Sequence, residues 1–138
     1  MCIHIRSTRF IYGLKNFYLK VFCGAFDYVV DEDDKIKSIN IFLTTKRLIS
    51  FTTKSSNHIA TDGTYKLTFN NNVIINVGTN DLDRQFHPFG CLVTTTENTE
   101  DYAFMFNAVK RLSKDLYQFD YEPTILLADA RNNSITNI

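Results

Sequence analysis

Residues 58–69, HIATDGTYKLTF, and residues 123–129, PTILLAD, decide how the chain folds. The first is rich in Ile, Thr, Tyr and Phe and reads as a strand with Asp62 inside it. The second is a short continuous apolar run, the mark of a buried parallel strand, and it leads straight into Asp129. Between them the pattern supplies two more strands and a helix. Asn70 to Asn72 provide turn residues, and VIINVGT (73–79) returns antiparallel through that hairpin. Asn80, Asp81 and Asp83 mark another turn before a third strand in FHPFGCLVTTT (86–96). From Asn98 to Tyr117, Tyr102, Met105, Phe106, Val109, Leu112 and Leu116 recur at helical spacing. Asn98 or Thr99 can cap this helix, and Glu100 and Asp101 suit the positive end of its dipole. The last residues, DARNNSITNI, read as the first turns of a second helix.

That order is β-β-β-α-β-α, an α/β fold with a mixed sheet. Three hairpin-linked strands followed by a helical crossover let the fourth strand run parallel to the first. With the fourth docked beside the first, Asp62 and Asp129 become neighbours across the sheet. A carboxylate inside an apolar strand is costly unless it is paired, hydrogen-bonded or bound to a metal. Two at one site repel unless a cation lies between them. Mg²⁺ and Mn²⁺ favour carboxylate oxygen, and paired metals clamp the attacking and leaving oxygens of an in-line phosphoryl displacement. The alternative for either aspartate is a strand-end residue facing water. Spacing alone leaves both open.

Upstream, IKSINIFL (36–43) alternates Ile39, Ile41 and Leu43 at period two, and TTKRLISF (44–51) suits a short helix or a turn. The run Asp31, Glu32, Asp33, Asp34 reads as a solvated loop; the glycine and distal glutamate of a calcium loop are absent. Residues 1–24 hold Arg6, Arg9, Lys15 and Lys20 and no acid. These cations interrupt any secretory signal, while a basic surface segment and a mitochondrial transit peptide both fit. The chain therefore divides into a basic segment (1–24), a pre-core segment (25–56) and a core (57–138).

Composition sets limits on this reading. With 138 residues, 44% apolar and 22% charged, the chain is neither disordered nor collagen-like. No apolar run is long enough to cross a bilayer. Cys2, Cys23 and Cys91 are scattered, neither a disulfide framework nor a zinc site, and fit a reducing compartment. His4, His58 and His87 form no cluster at metal-ligand spacing, and His87, ahead of Pro88, reads as structural. Fifteen cations balance fifteen anions, and Lys46, Arg47, Lys54 and Arg84 are dispersed, a weak footprint for a DNA binder.

The string from His58 to Leu67 resembles the D-[AG]-T-[YF]-K segment of Mutator-like element (MULE) transposases. Further pieces follow in order: Gly78 to Asp81, Phe86 to Phe89, the E-x-x-x-x-Y helix start from Glu97 to Tyr102, and Pro123 to Ala130. The resemblance covers roughly residues 22–138. It implies an RNase H-like fold, incomplete at the C-terminus, and a DDE-type core. In that family three carboxylates hold two Mg²⁺ or Mn²⁺ ions, water nicks the transposon end, and the freed 3′-hydroxyl attacks target DNA. Asp62 and Asp129 match the first two metal-binding, catalytic acids. The third is a glutamate from a later helix, which this sequence does not reach. Within the chain Glu97, Glu100 and Asp101 are substitutes, Glu100 first, the alternative for all three being acids that satisfy the helix dipole. The implied partners are transposon ends and target DNA, with self-association open, no membrane, and a nuclear location. Three readings follow: a transposase fragment inactive alone, a domesticated or relic binding module of the same fold, and an RNase H-like nuclease completed by Glu100.

Overall fold

The computed structural model describes residues 17–54, 57–66, 72–96, 98–128 and 134–137. Seven strands form one sheet: β1 (Phe22–Val30), β2 (Ile36–Thr44), β3 (His58–Lys66), β4 (Val73–Asn80), β5 (Phe86–Thr94), β6 (Ile125–Ala128) and β7 (Ser134–Asn137). Their order is β1-β2-β5-β4-β3-β6-β7, and the β3–β6 pair alone is parallel. With α1 (Lys46–Ser50) and α2 (Thr99–Tyr117), the architecture is mixed α/β. Among the described residues no helix is long and apolar enough to cross a membrane.

The two helices close one face of the sheet. Met105, Val109 and Leu112 of α2 and Ile49 of α1 bury against Phe42, Ile75, Val77 and Leu92. Tyr102, Phe106 and Leu116 lie half-buried beside them. The alternation of Ile39, Ile41 and Leu43 correctly marks β2 as a strand, yet these three are only half-buried. Phe42 and Thr44 are the residues that go into the core. Alternation shows that a strand has two faces; the position of the helices shows which one is inside.

Local chemistry explains the ends of α2. Asn98 Oδ1 accepts from the Asp101 N–H at 2.9 Å, and Asp101 Oδ2 accepts from the Asn98 N–H at 3.1 Å, a reciprocal capping box. The Thr96 hydroxyl also donates to Asp101 at 2.8 Å, so this buried carboxylate is satisfied where it sits. The helix stops at Gln118 with φ of 50°, whose N–H returns to the Lys114 carbonyl. At α1, the Thr45 hydroxyl accepts from the Leu48 N–H at 3.1 Å, which resolves TTKRLISF as a capped helix. A 3-10 turn, Phe51–Lys54, continues it. There the Thr52 hydroxyl meets Ser113 of α2 at 2.7 Å, a buried polar tie between the two helical segments.

Two features depart from the expected order. The C-terminal stretch is not a helix: residues 134–137 form β7, antiparallel to β6 with Ile135 opposite Leu127. The β-branched pair Ile135–Thr136 suits a strand, and pairing satisfies the outer edge of β6. The segment before residue 57 also adds β1, α1 and β2, and β2 pairs with β5, extending the same sheet. Residues 1–16, 55, 56, 67–71, 97, 129–133 and 138 lie outside the described set, and with them Arg6, Arg9 and Lys15 of the basic segment and the turn read at Asn70 and Asn71.

Where β4 shifts register against β5, between Val77 and Gly78, the two backbones come very close. A Cβ at Gly78 would run into the His87 carbonyl oxygen, and backbone cannot swing aside as a side chain would. Gly78→Ala is therefore expected to lower stability by about 1–3 kcal/mol in urea unfolding. Removing the cap with Asn98→Ala is expected to cost about 1 kcal/mol by the same measurement.

Candidate functional site

β3 has a neighbour on each edge. On one side Asp62 lies opposite Asn76 of β4, and a bulge between Asp62 and Thr64 interrupts that ladder. Bulges bend the strand and re-aim the residues beside them. On the other side β6 runs parallel, pairing His58 with Ile125, Ile59 with Leu126, Ala60 with Leu127 and Thr61 with Ala128. Asp62 thus belongs to the middle of β3, as the sequence indicated. Asp129, the second sequence-derived acid, lies outside the described residues, as does Glu97.

Glu100 occupies a different part of the molecule. It sits exposed in the first turn of α2 and lines a polar cleft of about 540 Å³ with Asp27 of β1 and Asn40 of β2. β5 and β4 separate β2 from β3, so three strand spacings, roughly 14 Å, lie between this region and Asp62. The fold does not bring Glu100 to β3. Asp101, its neighbour, is committed to the helix cap.

A second cleft, of about 450 Å³, opens at the start of β3. Phe51, Lys54, His58, Thr79, Asn80 and His87 line it, together with Asp81 and Leu82 of the β4–β5 loop. Here the antiparallel ladder sets His58 near the end of β4, and the β4–β5 hairpin pairs Thr79 with His87. The Asn80 N–H donates to His58 Nε2 at 3.1 Å. A backbone N–H can only donate, so Nε2 is the acceptor in this bond, and the Thr79 hydroxyl oxygen lies 3.2 Å from the same nitrogen. Tyr121 anchors the same residue from behind, its hydroxyl donating to the His58 carbonyl at 3.0 Å. His87 Nε2 meets Asp81 Oδ2 at 2.8 Å, and its ring stands 6.0 Å from that of Phe51.

Asp81 is first of all a loop residue. Its Oδ1 accepts from the Asp83 N–H at 2.9 Å and the Gln85 N–H at 2.8 Å, and Arg84 takes φ of 63°. The β1–β2 loop repeats this arrangement residue for residue: Asp31 Oδ1 accepts from Asp33 and Lys35, and Asp34 takes φ of 59°. Both are five-residue hairpin loops closed by an aspartate. The acidic run at 31–34 thus lies in a hairpin loop that its first residue, Asp31, closes. What distinguishes Asp81 is its free oxygen, which His87 engages.

The sequence reading passed over this cleft because its residues come from four separate segments. One signal was available: a five-residue loop from Asp81 to Gln85 places position 87 beside position 79. His58 and His87 do share a site, although they lack metal-ligand spacing. Among the described residues no group of three His, Cys, Asp or Glu side chains is in place to hold a metal. Cys23 and Cys91 are separate free thiols, and burial pushes both above the ordinary thiol range.

No protein-family model, curated protein or solved structure matches this chain.

The His87 imidazole first, then the Gln85 and Asp83 amides, hold the Asp81 carboxyl below the usual carboxylate range. A carboxyl with a lowered folded pKa stabilises the protein above the unfolded Asp range, and that contribution is lost as pH falls through the folded value. A carboxyl-carbon NMR titration is expected to place the Asp81 midpoint below an ordinary Asp. In His87→Ala the midpoint should rise toward the ordinary value; an unchanged midpoint would remove His87 as the cause.

Proposed function

We propose that the chain carries the two-aspartate portion of an RNase H-like core of the MULE transposase kind, whose chemistry is metal-dependent phosphoryl transfer on DNA. One observation carries this reading. β3 and β6 are parallel neighbours in register up to Thr61 and Ala128, and in the sequence each of these residues is followed directly by an aspartate. Three antiparallel strands, the α2 crossover and a fourth strand parallel to the first supply the frame expected from the resemblance. The bulge at Asp62 is of the sort found beside active sites.

Asp62 and Asp129 are the residues that would hold Mg²⁺ or Mn²⁺. Their oxygens are the donors such hard cations take, and adjacent parallel strands are a rigid base for them. When bound, the metal supplies Lewis-acid stabilisation of charge on the phosphate and a more acidic water. The chain's own part would be to supply these two carboxylates, one from within β3 and one from the residue that follows β6 in the sequence. Two carboxylates bind such an ion weakly, and Glu100 stands too far off to be the third. Strand transfer by this chain alone is accordingly not expected. The position of Glu100 also favours, as the second reading, a binding module of the same fold without catalysis.

Mn²⁺ titration followed by amide NMR tests the proposal. Paramagnetic broadening is expected first around residues 60–62 and 126–128, and Asp62→Asn should abolish it while leaving the fold intact. Broadening centred instead on the Asp31–Asp34 loop, or unchanged in Asp62→Asn, would sink it. The non-catalytic reading expects DNA binding that neither Asp62→Ala nor a chelator alters.

A further inference from the structure

We infer that the cleft at the start of β3 is a nucleotide-binding site, separate from the aspartate pair, which takes one base with its phosphate. Its walls and polar groups point to that ligand class. Phe51 and His87 bring two aromatic rings to the cleft, their centroids 6.0 Å apart and their planes tilted by 47°, so that either ring can offer a face to a base, and Leu82 beside them is fully exposed. Asp81 holds the His87 ring from its Nε2 side, so the platform is oriented before any ligand arrives. Rings of this kind bind nucleobases by stacking, with little regard to sequence. Lys54, exposed on the 3-10 turn, supplies a cation at the same cleft for a phosphate.

A third feature concerns hydrogen bonding. The side-chain oxygen of Asn80 is shielded from solvent and accepts no hydrogen bond among the described residues. An unsatisfied buried acceptor is costly, and Asn80 lines this cleft. Turned toward the cleft, that oxygen would accept from an N–H donor on the ligand. Nucleobases carry ring or exocyclic N–H groups on their edges; a bare anion carries none. A volume of about 450 Å³ suits one nucleotide rather than a duplex. Of the other polar groups at the cleft, His58 Nε2 is already engaged by the Asn80 N–H and lies 3.2 Å from the Thr79 hydroxyl.

This inference does not depend on the metal site. His58 begins β3 and Asp62 lies four residues further along it, so each end can be tested alone. The same chemistry is offered by a free nucleotide and by one unit of a single-stranded DNA. Binding of dAMP, of an eight-residue oligodeoxythymidylate and of inorganic phosphate is measured on the full chain by amide NMR and calorimetry. Shifts are expected at residues 51–54, 58, 79–82 and 87 with dAMP, with the oligonucleotide, or with both. Tighter binding of the oligonucleotide identifies a single strand as the source, and tighter binding of dAMP a free nucleotide.

Lys54→Ala and His87→Ala should each weaken binding about tenfold, within the range for loss of one stacking or charge contact. Leu82→Ala, at a fully exposed position, serves as a variant whose folding is not in question and should weaken binding severalfold. Binding of dAMP should be the same with and without a chelator, which strips any metal from the aspartate pair. Lack of shifts at the cleft, equal competition by inorganic phosphate, or unchanged binding in all three cleft variants would overturn the proposal. Loss of dAMP binding on adding a chelator would overturn its independence from the aspartate pair.

Discussion

β3 is hydrogen-bonded on both edges, and its two ladders constrain each other. Against β4 it is antiparallel and reached by a hairpin; against β6 it is parallel and reached only through α2. A hairpin cannot make a parallel neighbour, so the long crossover is obligatory. A slip of one residue in either ladder would turn the apolar set of β3 to the wrong face. Ile59, nearly fully buried under the helices, pins that register from the core side. Whatever lies at the two ends of β3 is therefore held by a strand fixed from both sides.

The two ends differ in character. Toward Asp62 the backbone bulges, and the parallel pair with β6 runs out at Ala128. At the His58 end, Tyr121, Asn80 and Thr79 converge on one residue, and the turn after α1 brings Phe51 and Lys54 alongside. The buried contact between Thr52 and Ser113 ties that turn to α2, so the crossover that places β6 also steadies the wall of the cleft. One helix thus supports both ends of the strand.

Much of this was legible in the residues. The α2 boundaries followed from its apolar period and from Asn98, whose side chain does what a cap requires. The Asp31 and Asp81 loops followed from residues that favour turns, although their common construction did not. Misreadings arose where a short segment carries two signals. Ile135 and Ile138, three apart, suit a helix, but Ile135 and Thr136 also suit a strand, and the open edge of β6 settled the matter. Ile39, Ile41 and Leu43 were equally ambiguous about face, because an antiparallel strand can be apolar on both sides.

The sequence by itself determined the kind and order of most elements, the cap that starts α2, and the placement of Asp62 within a strand. These depend on interactions over a few residues, and local chemistry writes them directly into the chain. Only the tertiary structure decided that β6 lies beside β3 in register, that Glu100 belongs to the β1–β2 side of the sheet, and that Lys54, His58, Asn80 and His87 share a cleft. Those facts depend on pairings between residues 20 to 70 positions apart, where composition and period carry no register. Strand pairing supplied it, because each ladder admits few alignments that keep the same side chains buried.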